Sequence, residues 1–313
     1  MGRFSFIGRR LLQLIPVALG VTIITFFLIH LIPGDPVHQM LGNHYTPEAG
    51  AELRRTLGLD QPLWNQYLTF MGNLLHGNLG NSFYYQASVT SLVAPRIEPS
   101  LWLIVYGAAL AAIISVPLAV YAALHQDGAV DQAVRGTFMV TLAIPAFFLG
   151  DILLLIFGVR LHIFPIIGFG TNPVDHMWHL FLPALTIAVS FSAVLIRSLR
   201  NSMLTILRAD YVDTARAKGL PWRTIVRKHV LRNALLSTVT IFGVNVAFLV
   251  GSIVVVESVF AIGGIGQLLV TAVSQRDYSV VQGITLLIAI FVVGVNLLTD
   301  ITYAILDPRI AVE

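Results

Sequence analysis

Four ionisable side chains stand inside or beside the apolar runs of this chain: His30, Asp151, Glu257 and Asp300. A charged side chain at the centre of a membrane-spanning helix costs about 2.5–3.5 kcal/mol on insertion scales, so none of these acids is expected to face lipid. Asp151, in AFFLGDILLL, lies well inside an apolar run. A carboxylate there could line a pathway and meet an ammonium group, or pair with another subunit. Glu257 stands at the outer end of its run, where water or a neighbouring amide can reach it. Asp300 follows Asn296 by four residues, which puts both on one helix face and suits a structural hydrogen bond.

Other chemistry lacks its residues. The chain has no cysteine, which excludes disulfides, thiolate metal sites and cysteine nucleophiles. It has no G-x-x-x-x-G-K-[ST], so it should not bind ATP through a P-loop, and it has neither H-E-x-x-H nor G-x-S-x-G. No close cluster of His, Asp and Glu offers an acid, a base and a nucleophile together, so the chain is not expected to be an enzyme by itself.

The remaining polar chemistry is concentrated in one island, residues 201–233, NSMLTILRADYVDTARAKGLPWRTIVRKHVLRN. Its first part reads as a short, fully capped helix. Asp210 is the candidate N-cap, and Asp213 lies three residues on; both carboxylates suit the positive end of the helix dipole. Arg216 and Lys218 fill the last turn, Gly219 supplies a left-handed C-cap, and Pro221 after Leu220 stops the helix. Two turns are marginal in water, where isolated helices need about 12 residues or more, so caps this well specified point to a surface that packs against the helix. Tyr211 and Ala215 share a face, and the small side chains of Thr214, Ala215 and Ala217 would let that surface approach closely. A second helix should start near Pro221. Trp222, Ile225, Val226, His229 and Val230 would lie on one side with the basic residues around the rest, as in a helix lying in a membrane interface.

The elements that must hold these residues are membrane helices. A mean hydropathy of +0.81 with 11% charged residues excludes an ordinary soluble domain, where roughly a quarter would be charged. The small net charge of +3 argues topology and lipid contact, not nucleic-acid binding. Six apolar runs are expected to cross the bilayer: 11–32, 101–124, 136–159, 179–196, 234–256 and 280–306. The first is too long for a signal-peptide core and reads as a retained span. Fourteen of the Lys and Arg residues fall on the side of the N-terminus and five on the other, which places both termini and the 201–233 loop in the cytoplasm. Three divisions follow: 1–32, the N-terminal segment with the first span; 33–99, an external cap of short amphipathic helices broken at Gly58 and Pro62; and 100–313, a five-helix core. The fold class is thus all-α, a polytopic membrane protein. Pro117, Pro145 and Pro183 are expected to bend spans. No internal repeat suggests inverted-repeat transport.

The stretch RSLRNSMLTILRADYVDTARAKGLPWRTIVRKHVLRNAL resembles the signature loop of ABC importer permeases, Glu-Ala-Ala, three residues, then Gly. Here Asp213, Thr214, Ala215 and Gly219 carry that pattern. IPGDP at 32–36, LGLDQPL with HGNLGNS within 57–82, LPALTI at 182–187, QRDYSVVQG at 275–283 and NLLTD with LDPRI within 296–310 are similar to the dipeptide/oligopeptide/nickel branch. The similarity covers nearly the whole chain. It implies a non-catalytic subunit of the bacterial cytoplasmic membrane that imports short peptides, with the 210–220 helix and turn seated in a groove of a cytoplasmic ATPase. The implied partners are a second, homologous permease, two ATPase subunits that hold the ATP and Mg, and an extracytoplasmic substrate-binding protein docking near the cap. Asp151 departs from the family's pattern, in which that position is usually apolar. The competing expectation is an ion-coupled transporter or channel acting without an ATPase, for which Asp151 is the only hint.

Overall fold

The computed structural model of the protein describes residues 3–31, 36–42, 45–56 and 58–306. The PGDP turn up to Asp35, Leu57, the LDPRI motif beyond Leu306, and the side chains of His30 and Asp300 lie outside the described residues. Among the described residues every regular element is helical, and the one β-type contact is an isolated bridge between Asn81 and Ser88.

Among the described residues, three helices are long and apolar enough to cross a membrane: α5 (Val89–Leu124), α9 (Phe181–Leu207) and the Tyr278–Thr299 part of α14 (Tyr278–Leu306). A fourth candidate is broken. α6 (Ala129–Ala143) meets α7 (Ala146–Leu153) at a 103° bend, and α7 runs on into a π-helical turn, Leu154–Arg160. Pro145 is the cause. It has no N–H to give the helical ladder, and its ring drives the preceding residue out of the helical region, so Ile144 is extended at φ −87° and ψ 122°. The apolar run 136–159 is therefore two limbs rather than one straight span. α1 (Arg3–Leu31) and α12 (Arg232–Val259) are 29 and 28 residues long and carry the apolar runs near residues 11–32 and 234–256.

The chain divides into two compact units. One joins residues 9–97 to 268–291. In it α2 (Pro36–Leu41), α3 (Pro47–Thr56) and α4 (Leu63–Leu75) follow α1, with the break between α3 and α4 falling at Gly58 and Pro62 as the sequence suggests. Phe26 of α1 packs against the rings of Tyr67 and Phe70 of α4, and Thr22 hydrogen-bonds Tyr67 at 2.9 Å. Ser82 donates to the buried Asp277 carboxylate just before α14. The 33–99 segment thus packs on the first helix and on 268–291 and does not build a core of its own.

The other unit is built mainly on Glu98–Gln267. It holds two buried apolar clusters. Leu103, Leu182, Ile187, Phe191, Leu249 and Phe260 join α5, α9 and α12. Ala119, Val134, Leu199, Met203, Val212 and Ile225 tie α5, α6 and α9 to the 201–233 segment.

Candidate functional site

The 201–233 island folds as a helical turn packed against its own unit. α9 ends at Leu207, two residues turn, and α10 (Asp210–Ala217) begins. Ala209, not Asp210, is the N-cap, with no side-chain cap bond; Asp210 is the first helical residue. Its carboxylate and that of Asp213 still stand in the first turn, where the exposed N–H groups favour negative charge. The other end closes as the sequence implies. Gly219 takes φ +73°, its N–H bonds the Arg216 carbonyl at 2.9 Å, and the Leu220 N–H bonds the Ala215 carbonyl at 3.3 Å. These two bonds are the Schellman pair that satisfies orphan carbonyls, and the left-handed residue between them is best served by a glycine.

The face that α10 presents differs from the one its composition suggests. Val212 and Ala215 are buried, 0% and 6% exposed, in the cluster with Met203, Ile225, Val226 and Val230. Ala215 therefore supports the helix from beneath. The exposed face carries Asp210, Tyr211, Asp213, Thr214, Arg216, Ala217 and Lys218, followed by Gly219 and Leu220. Arg216 lies 4.5 Å over the Trp222 ring, which fixes the turn after Gly219 against the helix. The Asn233 side-chain amide donates to the Tyr211 hydroxyl at 3.3 Å and to the His229 carbonyl at 2.8 Å.

The second helix is not a separate interfacial one. α11 (Trp222–Thr224) passes through a π-helical turn, Ile225–Leu231, straight into α12, with helical dihedrals at both junctions. Ile225, Val226 and Val230 are buried against the unit, so the apolar side faces protein, while Arg223, Arg227, Lys228 and Arg232 are exposed.

Sequence reasoning missed an ion pair beneath this loop. Arg200 on α9 reaches Asp131 in the first turn of α6 with a bidentate fork, Nε to Oδ1 at 2.6 Å and Nη2 to Oδ2 at 2.5 Å. Asp131 is fully buried and Arg200 is 8% exposed. Only the fold brings together residues 69 apart.

Residues 115–312, which contain the whole loop, match the family described as "Binding-protein-dependent transport system inner membrane component", and residues 3–101 match the N-terminal component of the same systems. The chain belongs to this permease family. The oligopeptide transport system permease protein AppB of Bacillus subtilis (strain 168) is 38% identical over 98% of the chain and 99% of that protein. The dipeptide permease DppB of Escherichia coli (strain K12) is 36% identical over 98% of each chain. The glutathione permease GsiC of Pectobacterium atrosepticum is 39% identical, again over 98% of each. Among solved structures, an inward-facing form of the MetNI methionine ABC transporter matches the fold with a TM-score of 0.58 at 19% identity, over 69% of this chain and 96% of that one. The resemblance to ABC importer permeases of the peptide branch is thereby borne out.

Outside the loop stand the acids Asp151 and Glu257. Asp151 sits on α7, past the Pro145 break, with its side chain exposed and without a partner among the described residues. Glu257, at the end of α12, is fully buried. Its carboxylate accepts from the Ser100 hydroxyl at 2.5 Å and from the backbone N–H groups of Gly266 at 2.7 Å and Gln267 at 3.1 Å, and the Ser100 oxygen accepts from the Ile265 N–H at 2.9 Å. Glu257 thus caps α13 (Ile265–Ser274) and joins it to α5; a Cβ at Gly264 would collide with the carboxylate. The neighbouring amide foreseen for Glu257 proves to be a pair of them.

Proposed function

We propose that this permease is one of the two membrane subunits of an ATP-driven importer of short peptides, in the bacterial cytoplasmic membrane. A second, homologous permease completes the translocation pathway, two cytoplasmic ATPase subunits supply ATP and Mg, and an extracytoplasmic binding protein delivers the substrate. Six spans carry both termini on the cytoplasmic side, with the 33–99 segment as an external cap. Peptide cargo is supported by the names of three relatives, which are permeases for oligopeptides, dipeptides and glutathione.

The observation that carries the reading is the build of α10. An eight-residue helix is held by a Schellman closure and by Val212 and Ala215 from beneath, while its polar face is left uncovered. That face fits a groove in an ATPase: a rigid knob, already ordered, presenting acids at one end and Arg216 and Lys218 at the other. Docking such a knob costs little further ordering.

The test is affinity purification of the tagged chain from gently solubilised membranes, alongside Ala217→Trp, which adds bulk to the exposed face and leaves the buried one untouched. Two ATPases and a second permease should accompany the wild type, and the ATPases should be lost from the variant. Wild-type chain that emerges alone, under conditions that hold other membrane complexes together, would return the ion-coupled transporter to first place.

A further inference from the structure

The Asp131–Arg200 pair joins α6 and α9, two of the helices whose apolar cluster seats α10, yet the docking of α10 does not use it. Its geometry is unusually complete. Both carboxylate oxygens of Asp131 take a guanidinium N–H, and Oδ2 also accepts the Asp127 N–H at 3.0 Å in the turn that leads into α6. Arg135, one turn along α6, brings its Nε to 3.8 Å of the same oxygen. A second, exposed bond runs parallel to the first: Arg208, in the turn before α10, donates to Gln126 at 3.4 Å. Two ties therefore join the α5–α6 turn and the start of α6 to the end of α9 and the turn before α10.

A buried ion pair is weak as a source of stability, because desolvation of the two charges offsets most of their attraction, and apolar residues of similar volume often do as well. Its distinctive property is direction. A fork on a carboxylate fixes distance and orientation between two helices, whereas the apolar cluster that includes Val134, Leu199 and Met203 allows sliding.

We propose that Arg200 and Asp131 are positioning residues of the transport cycle: they lock α6 to the end of α9, so that displacement of α10 is passed to α6 and on to the Pro145 break instead of being absorbed beside the loop. This rests on α10 being the surface that docks the ATPase. Neither residue touches substrate in this role.

The experiment uses the full transporter, reconstituted in liposomes with its binding protein. Three quantities are read: ATPase subunits bound per permease, ATP hydrolysed, and peptide taken up per ATP. The principal variant is the double substitution Asp131→Leu with Arg200→Met, which removes both charges and keeps the volume filled. It should assemble with a normal complement of ATPases and hydrolyse ATP, while uptake per ATP falls at least about fivefold, the low end of ordinary coupling between sites. Arg200→Lys alone, which keeps the charge and one bond to Asp131, should retain most of the ratio. A double variant that transports with wild-type stoichiometry would overturn the proposal and leave the pair as packing. Failure of the docking reading would show separately, as wild-type permease that binds no ATPase.

Discussion

Asp151 is placed by the break at Pro145, with no long-range partner among the described residues. Its carboxylate stands on α7, exposed in the single chain, and an acid left facing lipid would carry the insertion cost of about 2.5–3.5 kcal/mol. A water-lined pathway or a facing subunit removes that cost. If the carboxylate meets the ammonium of a peptide, a hydrogen bond to a charged group is at stake, worth about 1.5–3 kcal/mol. Asp151→Asn should then weaken uptake of free-amine peptides by roughly tenfold or more while N-blocked peptides are much less affected. Equal loss for both in a competition uptake assay would remove the ammonium contact. At this scale the sequence reveals residues whose partners are local. The loop's acids, its closing glycine and the buried acid Glu257 are visible because caps and apolar runs are short-range patterns. Arg200 and Asp131 are not, since nothing in RSLR or AVDQAVR announces a partner across another helix. The buried side of Ala215 is hard to read for a related reason: two turns are too few to tell which side of a helix faces inward, although Val212 and Ala215, three apart and both apolar, are the available signal.

In the proposed coupling the deciding element is α10, and its exit turns on a single residue. Gly219 holds φ +73°, and a β-branched residue there is a steric outlier with a cost of about 1–3 kcal/mol. Gly219→Val should open the two Schellman bonds and reduce the ATPases that co-purify, while membrane insertion and yield hold, because the buried underside of α10 is unchanged. Gly219→Asn, which tolerates the left-handed region, should keep most of the binding. Binding at the wild-type level in the Val variant would show that the turn after α10 is not part of the docked surface. Helix starts, stops and breaks were largely legible, since Gly58, Pro62, Gly219 and Pro145 act on their immediate neighbours. The angle at Pro145 and the fusion of α11 with α12 were not, because both depend on what the helices pack against.

At the scale of the whole molecule, the distribution of Lys and Arg gives an orientation open to direct test. The chain contains no cysteine, so single substitutions report without interference. Asp60→Cys, at an exposed position before α4, should react with a membrane-impermeant maleimide in intact cells; Arg227→Cys should react only once the cytoplasmic side is opened. The reverse pattern would invert the topology and with it the assignment of the loop to the ATPase side. The expectation of six spans came from hydropathy, which counts apolar residues along a line. It does not register that the run 136–159 turns through 103°, and it says nothing of the π-helical turn between the loop and α12. That turn sets a phase. In an ordinary α-helix each residue advances the face by about 100°, and a π-helical turn holds more residues per turn than an α-helical one. Deleting one residue within Ile225–Leu231 would let the wide turn tighten into ordinary α-helix and leave the segments on either side nearly in phase, whereas the same deletion a few residues on, inside α12, would swing everything before it by about 100°. These seven positions thus hold a spare residue whose loss the face proposed to dock would largely survive, while the helix that follows has none to give.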